Sequence, residues 1–357
     1  MTRPDDGPKE APGPPAAEST AGGWVGVVAN PASGLGLSRR KANRLIAALD
    51  GHGFEARPAW TPDDRASMVA RANVDLSCRC LVAVGGDGTV SALINEKPRV
   101  PITILPTGTE NLAARHFRLK GNPDVLARTI AEGRIVPVDV GLANGRRFLL
   151  MTGFGFDGDV VTRHHGMRTA SGYVRTTHRA AYVEPILRSS LSYAFPRIAV
   201  RIEDPGAEET LVGTTIFAFN LPRYALNLPF APSALQDDGL LDLVVFRDPG
   251  PFQALYYLWR VVLGTHFQLA GVFHRRVRRI SLSSRGAVPI QIDGDPGGRL
   301  LPISPATGKP PGEDRESPTT RDLWTIEILP QALSVLVDRS WSPKTRPAAL
   351  AGGGLFG

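Results

Sequence analysis

Short apolar runs separated by amphipathic segments fill the first third of the chain. The apolar runs are typical of buried strands, and the amphipathic segments between them are typical of helices. This alternation predicts a parallel sheet with helices on both faces. The predicted strands are Trp24–Ala29, Phe54–Trp60, Leu81–Val84 and Val100–Leu105, and the predicted helices begin at Ser38, Thr61, Thr89, Asn111 and Asn122.

The pattern changes near Ile135, where short strands follow one another. Ile135–Ala143 and Arg146–Thr152 flank Asn144-Gly145, a pair that favours a type I′ turn and so predicts a hairpin. Short strands of this kind are typical of an antiparallel sandwich or barrel. The further predicted strands are Pro196–Glu203, Leu211–Asn220, Leu240–Phe246, Val277–Ser283, Pro289–Ile292 and Leu323–Ile328, with helical segments at Thr177–Leu187 and Gln253–Leu269.

These patterns divide the chain into an α/β nucleotide-binding domain over residues 24–134 and an all-β sandwich domain over residues 135–322. Residues 301–321 are rich in Pro, Gly and Glu, and we interpret them as a flexible insertion. Residues 1–23 lack the apolar core of a secretory signal. We expect residues 1–23 and 339–357 to be disordered.

The composition limits the partners and the compartment. The 357 residues carry a net charge of +7, which favours an anionic partner such as a nucleotide, an acidic lipid or a nucleic acid. Cys78 and Cys80 lie on one face of a predicted strand, and we expect buried thiols in a reducing compartment. The apolar segment Ala254–Phe273 is interrupted by Arg260 and His266, so it predicts a soluble or surface-lying helix.

The stretch Leu81–Ser91 places glycines between a strand and a helix. Glycines let the backbone approach an anion closely, and free N–H groups at a helix N-terminus point toward it. Asp87 lies among these glycines, and a carboxylate beside phosphates requires a divalent cation or takes up a proton during the reaction. The stretch therefore favours a nucleotide, a metal and a proton transfer in one place, with an ordinary βα turn as the alternative.

Two further strand-to-helix loops, at residues 30–36 and 106–111, carry Gly together with Ser, Thr or Asn. Ligands of open α/β sheets bind beyond the carboxyl ends of the strands, so we expect the three loops to line one cleft. The helix after the first loop begins with Arg39, Arg40 and Lys41. These cations oppose the helix dipole and fit either a bound anion or a solvated face.

Six motifs occur in order along the chain: NPASG, GGDGTV, LPTGTEN, FGFDGDVV, DDGLLDLVVF and QIDGD. Together they resemble the catalytic family of diacylglycerol kinases, which includes bacterial lipid kinases and has sphingosine kinases as relatives. The resemblance covers residues 24–338. It implies a Rossmann-like first domain similar to NAD kinases and phosphofructokinases, a β-sandwich second domain with ATP between the two, and a segment, 323–338, that returns to the first domain.

The resemblance also implies the residues of the ATP site. The first loop contacts phosphate, Thr61 lies at the nucleotide edge, the central glycine loop wraps the phosphates, and the third loop closes the pocket. Mg²⁺ would bridge the ATP phosphates and Asp87, directly or through water. The residues carried over are Asn30, Ser33, Gly34, Thr61, Gly85, Gly86, Asp87, Gly88, Thr89, Thr109 and Asn111.

A structural Mg²⁺ is implied at the turn Asp237-Asp238-Gly239. Its ligands would be the carboxylate of Asp238 and the backbone carbonyls of Leu235 and Leu240. Ligation by oxygen alone suits a hard cation. The same residues also suit an ordinary turn before a strand.

Asp293-Gly294-Asp295 falls where the family has Asp-Gly-Glu, the acidic pair that supplies the general base. Asp295 keeps the charge of that Glu but reaches one methylene less far, so Asp295, Asp293 and Asp87 all remain candidates for the base. A plain turn is the alternative. Glu110 is a second departure, since the family commonly has a small residue there, and its carboxylate faces either the phosphates or solvent.

Asp157 is expected to orient the headgroup of a lipid acceptor, because the matching loop faces the cleft in the family; a strand-end turn is the alternative. Apolar residues between Tyr256 and Phe267 would contact acyl chains or belong to the core. The basic run His274–Arg279 would meet anionic headgroups or solvent. His164 and His165 lack metal-ligand spacing and are expected at the surface.

The resemblance thus implies an ATP- and Mg²⁺-dependent kinase whose acceptor is diacylglycerol or a related lipid alcohol. An NAD kinase-like small-molecule kinase and a non-catalytic lipid- or nucleotide-binding protein remain as alternatives. We expect a cytoplasmic protein with peripheral contact at the inner membrane face and a lipid substrate at a membrane surface. We expect no nucleic-acid partner, and a homodimer stays open.

Overall fold

The computed structural model describes residues 22–29, 37–170, 183–204, 206, 208–302 and 323–343. Within them, strands and helices alternate through the first third of the chain, as the apolar pattern predicts. These elements are β1 (Trp24–Ala29), α1 (Leu37–Asp50), β2 (Glu55–Ala59), α2 (Pro62–Ala72), β3 (Cys78–Gly85), α3 (Asp87–Asn95), β4 (Ile102–Pro106), α4 (Leu112–His116) and α5 (Pro123–Glu132).

The strands of this region form a parallel sheet of order β2-β1-β3-β4. β1 is buried at every position, which explains why its sequence is a continuous apolar run without polar alternation. The helices bury apolar stripes against the sheet, including Leu45 and Leu49 of α1 and Leu93 and Ile94 of α3. The predicted α/β class of the first domain is confirmed.

Antiparallel pairing dominates the rest of the chain. Two antiparallel layers enclose a second apolar core that includes Phe154, Val200 and Leu243, so the predicted β-sandwich is also confirmed. The elements are β5 (Arg134–Ala143), β6 (Arg146–Phe148), β7 (Met151–Gly155), α6 (Phe156–Ala170), α7 (Val183–Ser192), β8 (Ile198–Ile202), β9 (Glu209–Gly213), β10 (Thr215–Phe219), β11 (Leu241–Phe246), α8 (Pro251–Val262), β12 (Val272–Val277), β13 (Arg279–Ser284), β14 (Val288–Ile292), β15 (Asp295–Leu300) and β16 (Trp324–Val337).

The strands join into two sheets in the described part of the chain. The larger sheet continues the parallel one in the order β2-β1-β3-β4-β16-β13-β8-β9, with β5 beside β16 and β6 beside β5. The smaller sheet has the order β12-β11-β10-β7-β14-β15. β16 connects the two regions, because it pairs antiparallel with β13 and β5 while Val335 pairs in parallel with Ile102 of β4.

β16 is longer than the predicted strand, which ended at Ile328, just before Pro330. The register against β5 shifts between Leu329 and Leu333, and Gln331 takes a left-handed backbone with φ of +50°. Its N–H donates to the buried carboxylate of Asp139 at 2.7 Å. A tertiary hydrogen bond therefore stabilises this break in register, at which the local sequence pattern predicts the end of the strand.

Several other boundaries differ from the predictions. The predicted strand Leu211–Asn220 is two strands, because the chain passes from one sheet to the other at Thr214. α8 ends at Val262, earlier than the predicted end at Leu269, because Gly264 adopts a φ of +67° and stops the helix. α6, β12 and β15 were not predicted, since their sequences lack a clear helical or alternating period. α7 overlaps the predicted segment Thr177–Leu187, of which residues 177–182 lie outside the described residues.

Cys78 and Cys80 are free, buried thiols on β3, as predicted. Burial raises the pKa of Cys78 to about 12 and raises the pKa of Cys80 further. The predicted insertion and both predicted disordered ends lie mostly outside the described residues. Across the part of the chain that the structure describes, no helix is both long enough and apolar enough to span a membrane.

The packing of Phe148 on Gly141 gives a test of the sandwich core. A Cβ atom on Gly141 would lie 1.9 Å from Cζ of the fully buried Phe148 ring. We expect Gly141→Ala to lower the free energy of unfolding by about 1–3 kcal/mol through overpacking. Gly166→Ala in α6 is the matched control, because a Cβ atom on Gly166 would have no neighbour within 4 Å. It should raise the free energy of unfolding by up to about 1 kcal/mol. Denaturant unfolding measures both, and equal effects would contradict this packing.

Candidate active site

The loops that follow β3 and β4 lie against each other at the carboxyl edge of the parallel sheet. The N–H of Thr107 donates to the carbonyl of Gly85 at 3.0 Å. A Cβ atom on Gly108 would lie 2.6 Å from Cα of Gly86, so only glycine fits at this approach. The two glycine loops therefore pack backbone against backbone at Gly86 and Gly108, and glycines allow close approach to phosphates.

α1 also reaches this edge. The hydroxyls of Ser38 and Thr107 lie 2.6 Å apart, and the Lys41 ammonium donates to the carbonyl of Pro106 at 3.1 Å. Burial lowers the pKa of Lys41. The Arg39 guanidinium lies 5.8 Å from the ring centre of Trp60, beside the end of β2. The cations in the first turn of α1 thus face the cleft and its edge, where an anion would offset their unfavourable position on the helix.

Asp87 fastens the central glycine loop to the loop after β4. Its two carboxylate oxygens accept the N–H groups of Leu112 and Ala113, each at 3.0 Å. Burial raises the pKa of Asp87 despite these bonds, and the nearby charge of Glu110 raises it further. Glu110 is therefore close enough to the cleft for its charge to act on Asp87.

Asp293 is the most firmly held carboxylate of the site. It is 6% exposed and accepts three backbone N–H groups, from Leu149, Leu150 and Met151, at 2.8–3.1 Å. Burial raises its pKa to about 7, and the charge of Asp87 contributes to this rise. The turn that contains Asp293 and the glycine loop of Asp87 thus lie close together, although they belong to different domains.

Asp295 faces the glycine loop directly. One of its carboxylate oxygens lies 3.6 Å from the position that a Cβ atom on Gly88 would occupy. Arg146 holds this turn, since its guanidinium lies 3.8 Å from the Asp295 carboxylate and donates to the carbonyl of Pro296 at 3.3 Å. Asp295 is only partly buried, so its carboxylate remains accessible from the cleft between the loop and the turn.

An apolar pocket adjoins the outer face of the smaller sheet. Its aliphatic and aromatic lining suits a ligand with hydrocarbon chains. Asp157, in the first turn of α6, is the one acidic side chain among the described residues that line it. The lining comprises Phe156, Asp157, Val160, Val161, Ile186, Thr215, Phe217, Tyr224, Ala225, Leu226, Leu228, Phe230, Phe246, Ala254, Tyr257, Leu258 and Val261.

Asp157 connects this cavity to the acidic turn through one side chain. The side chains of Gln291 and Tyr224 lie close enough to lower the pKa of Asp157, but burial outweighs them and raises this pKa to about 7. The amide oxygen of Gln291 in turn accepts the N–H of Gly294 at 2.8 Å. Gly153 leaves the room for this contact, because a Cβ atom there would lie 2.8 Å from both Asp157 and Gln291.

The turn at Asp238 is neutralised by the protein itself. One carboxylate oxygen accepts the N–H of Leu240 at 3.1 Å, and the other lies 3.3 Å from the Arg276 guanidinium. Burial raises the pKa of Asp238. In this arrangement Arg276 contacts the carboxylate that a magnesium ion would also contact. The metal site at Leu235, Asp238 and Leu240 stays a prediction.

The other sequence-predicted residues fall in three places. Thr61 caps α2 at the end of β2, at the same sheet edge as the glycine loops. Asn111 shapes the third loop, because its side chain bonds both the N–H and the carbonyl of Gly108, and Thr109 lies exposed between them. Asn30, Ser33 and Gly34 lie outside the described residues.

Two further predictions change: the surface position of His164 and the exposure of the basic run His274–Arg279. His164 is buried, 6% exposed, and was wrongly expected at the surface. In the basic run, Arg275, Arg276 and Arg279 pair with Glu209, Asp238 and Glu203 respectively. These three arginines are therefore neutralised by acids of neighbouring elements, and Arg278 is the exposed cation that the run still presents.

The sequence did not identify Arg146, Gln291, Tyr224 or Arg276 as site residues. Arg146 follows the Asn144-Gly145 turn, and hairpin register could have placed it near the end of β15. Gln291 is the polar residue in the otherwise apolar strand β14, an unusual position that signals a buried partner. For Tyr224 and Arg276 no local signal exists, because their partners come from distant elements.

The chain is similar to known families and structures along most of its length. Residues 25–143 match the family described as diacylglycerol kinase catalytic domain, and residues 152–337 match the one described as YegS C-terminal NAD kinase beta sandwich-like domain. A diacylglycerol kinase of Staphylococcus carnosus (strain TM300) is 24% identical over 85% of this chain and 98% of the relative. A diacylglycerol kinase of Mycobacterium tuberculosis (strain ATCC 25618 / H37Rv) is 28% identical over 76% and 89%.

The fold has a solved counterpart. The crystal structure of a diacylglycerol kinase from Bacillus anthracis str. Sterne superposes with a TM-score of 0.61 at 20% identity, over 88% of this chain and 97% of that one. This likeness shows that the arrangement of the α/β region and the sandwich is common to both chains.

Asp293 and Asp295 should respond differently to substitution. Asp293→Ala leaves three buried N–H groups without an acceptor, so we expect the free energy of unfolding to fall by about 3 kcal/mol or more. Asp295→Ala removes a partly exposed carboxylate and should change it by less than about 0.5 kcal/mol. Thermal or denaturant unfolding of both variants checks this. An equal loss would mean that Asp293 is not the anchor of the turn.

Proposed function

Because the chain belongs to the family of the diacylglycerol kinase catalytic domain, we propose that it transfers the γ-phosphate of ATP to the hydroxyl group of diacylglycerol or a related lipid alcohol. The observation that carries this proposal is the position of the 293–295 turn. Its Asp295 faces Gly88 of the glycine loop, while Gly294 is bonded to Gln291, which contacts Asp157 of the apolar cavity. One turn thus links a phosphate-type loop to a pocket for hydrocarbon.

ATP would bind at the carboxyl edge of the parallel sheet. The close backbone approach of the two glycine loops supports phosphate contacts through backbone N–H groups, and Lys41 supplies a nearby positive charge. Thr61 and Trp60, at the end of β2, would lie at the far edge of the nucleotide. The proposed ATP-binding residues are Asn30, Ser33, Gly34, Thr61, Gly85, Gly86, Asp87, Gly88, Thr89, Thr109 and Asn111.

Magnesium would enter with the nucleotide. Asp87, Glu110, Asp293 and Asp295 collect negative charge around one loop. The described residues contain no cluster of three or more side chains able to hold a metal without ATP. Mg²⁺ commonly binds through one or two carboxylates together with substrate phosphates, and it would neutralise charge on the transferring group. Asp87 is the proposed carboxylate partner of this ion, and it would act through water because both of its oxygens accept backbone N–H groups of the third loop.

Asp295 is the proposed general base. As the lipid oxygen bonds to the γ-phosphorus, the bond from that phosphorus to the ADP oxygen breaks, and the hydroxyl proton passes to a carboxylate. Asp293 is poorly suited to accept it, since both of its oxygens are occupied by backbone N–H groups. Asp295 is accessible and is held toward Gly88 by Arg146. This clamp offsets the shorter reach of Asp compared with the Glu of the family.

The lipid would place its acyl chains in the cavity and its polar end at Asp157. The cavity is lined almost wholly by aliphatic and aromatic side chains, so it favours hydrocarbon over a second nucleotide such as NAD. The ionised Asp157 would accept a hydrogen bond from a lipid hydroxyl. Gln291 and Tyr224 fix the carboxylate, which then orients the acceptor toward the 293–295 turn.

The role of Asp295 is testable by turnover. We expect Asp295→Asn to lower kcat by about 10²–10³-fold with an unchanged KM for ATP, because proton acceptance is lost while binding is kept. Asp295→Glu should retain activity, since it restores the residue of the family. Phosphate transfer from ATP is measured with diacylglycerol, a sphingoid base, NAD or no acceptor.

Asp124→Asn, an exposed carboxylate paired with Arg44, serves as the control and should behave as the unaltered protein. Phosphorylation of NAD in preference to every lipid would refute the proposed acceptor class. Full lipid kinase activity of Asp295→Asn would refute the base and leave the activity itself in place.

Asp157 should give a pH-dependent lipid affinity. Its pKa of about 7 means that the carboxylate is ionised above neutrality and protonated below it. Since the ionised form accepts the lipid hydroxyl, KM for the lipid should rise as the pH falls through about 7, with KM for ATP constant. Asp157→Asn should raise KM for the lipid at pH 8 and remove this dependence. Asp159→Asn, whose carboxylate pairs with Arg163 in the same helix, should preserve it.

A further inference from the structure

α8 is apolar on two opposite faces. One face lines the cavity through Ala254, Leu258 and Val261. The opposite face exposes Phe252, which is 85% exposed, and Trp259, which is 55% exposed. A helix on the surface of a protein normally turns polar residues to water. The outer face of α8 therefore lacks the polarity that contact with water alone would favour.

Neighbouring elements extend this apolar surface around the cavity. α7 packs against α8 and exposes Val183, Leu187 and Leu191, one stripe at four-residue spacing, while its Ile186 lines the cavity. Leu226 both lines the cavity and is 36% exposed. We call the outer face of α8, the stripe of α7 and the 222–229 loop the apolar rim. Exposed patches of this extent mark an interaction site.

The charges at the rim are mainly positive. Arg260 is the charged residue of α8, and Arg223 is the charged residue of the 222–229 loop. Among the described residues, both bond neutral groups: Arg260 bonds Thr265 and Tyr256, and Arg223 bonds the carbonyl of Asn227. On α7, Glu184 and Arg188 neutralise each other. The rim thus keeps two cations without an acidic partner, in contrast to the paired arginines of β12 and β13.

From these features we propose that the apolar rim docks onto an anionic lipid bilayer. The choice of a lipid as the partner rests on the proposed function. Trp and Tyr side chains favour the boundary between hydrocarbon and water, and arginines beside them attract anionic headgroups. α8 would lie in the plane of the interface, with its outer face in the lipid. Its inner face would form the wall of the cavity that receives the acyl chains.

A second copy of the chain fits the rim less well. A two-fold contact brings the same elements of both copies together. The arginines at positions 223 and 260 of both copies would then lie in one interface, and the acid that α7 adds to the rim, Glu184, already pairs with Arg188. The charge of the rim therefore favours an anionic surface over self-association.

Binding to vesicles without ATP or diacylglycerol tests the docking surface separately from catalysis. The full chain is sedimented with vesicles of phosphatidylcholine alone and of phosphatidylcholine with phosphatidylglycerol. We expect preferential binding to the anionic vesicles. Phe252→Ser/Trp259→Ser should weaken it by about tenfold or more. Arg223→Gln should weaken it by about fivefold on anionic vesicles alone.

Val74→Ser/Leu76→Ser is the matched control, because both residues are highly exposed but lie in the loop before β3. It should bind vesicles as the unaltered chain does. Vesicle binding that is unchanged in the rim variants would overturn the proposal, as would rim variants that only convert a dimer to a monomer in analytical ultracentrifugation.

Turnover of a dispersed short-chain diacylglycerol separates the two proposals. Loss of vesicle binding with turnover retained supports the docking surface, and vesicle binding without phosphorylation of any lipid counts against the kinase function alone.

Discussion

The carboxyl group of Asp293 is buried, and three backbone N–H groups at residues 149–151 compensate for its loss of water. Those residues are the point where the chain leaves the larger sheet at β6 and enters the smaller one at β7. Because the same carboxylate belongs to the turn between β14 and β15, it ties the crossing of the sheets to the turn that carries Asp295. The position of Asp295 relative to Gly88 depends on this bond set.

At the same junction, the side chain of Gln291 lies between the 293–295 turn, which faces the glycine loop, and the apolar cavity. Asn220 adds to it, because its amide donates to the carbonyls of Asp139 and Leu149. On one side of the junction lie backbone groups and ionised side chains; on the other lies an apolar cavity. Gln291 lies at the boundary, because its amide oxygen accepts the N–H of Gly294 while its amide nitrogen and the Asp157 carboxylate approach the same point beside Gly153.

Much of the molecule could be predicted from local patterns. The buried strand β1, the capped helix at Thr61 and the Asn144-Gly145 turn all follow from periodicity and turn chemistry, which act over a few residues. The motifs located the glycine loop and the acidic turn for the same reason. The different roles of Asp293 as a buried anchor and Asp295 as an accessible carboxylate could not be predicted. The two residues are of the same type in one short turn, and they differ only in which distant groups surround them.

The sequence by itself determined the class of both domains, the alternation of strands and helices in the first domain and the family to which the chain belongs, since these depend on residue type and spacing. The tertiary structure decided which carboxylates are anchored and which is accessible, that Arg276 pairs with Asp238, and that α8 presents an apolar face to the outside. Burial and partner choice are properties of contacts between distant segments, and a pattern read along one strand or helix does not contain them.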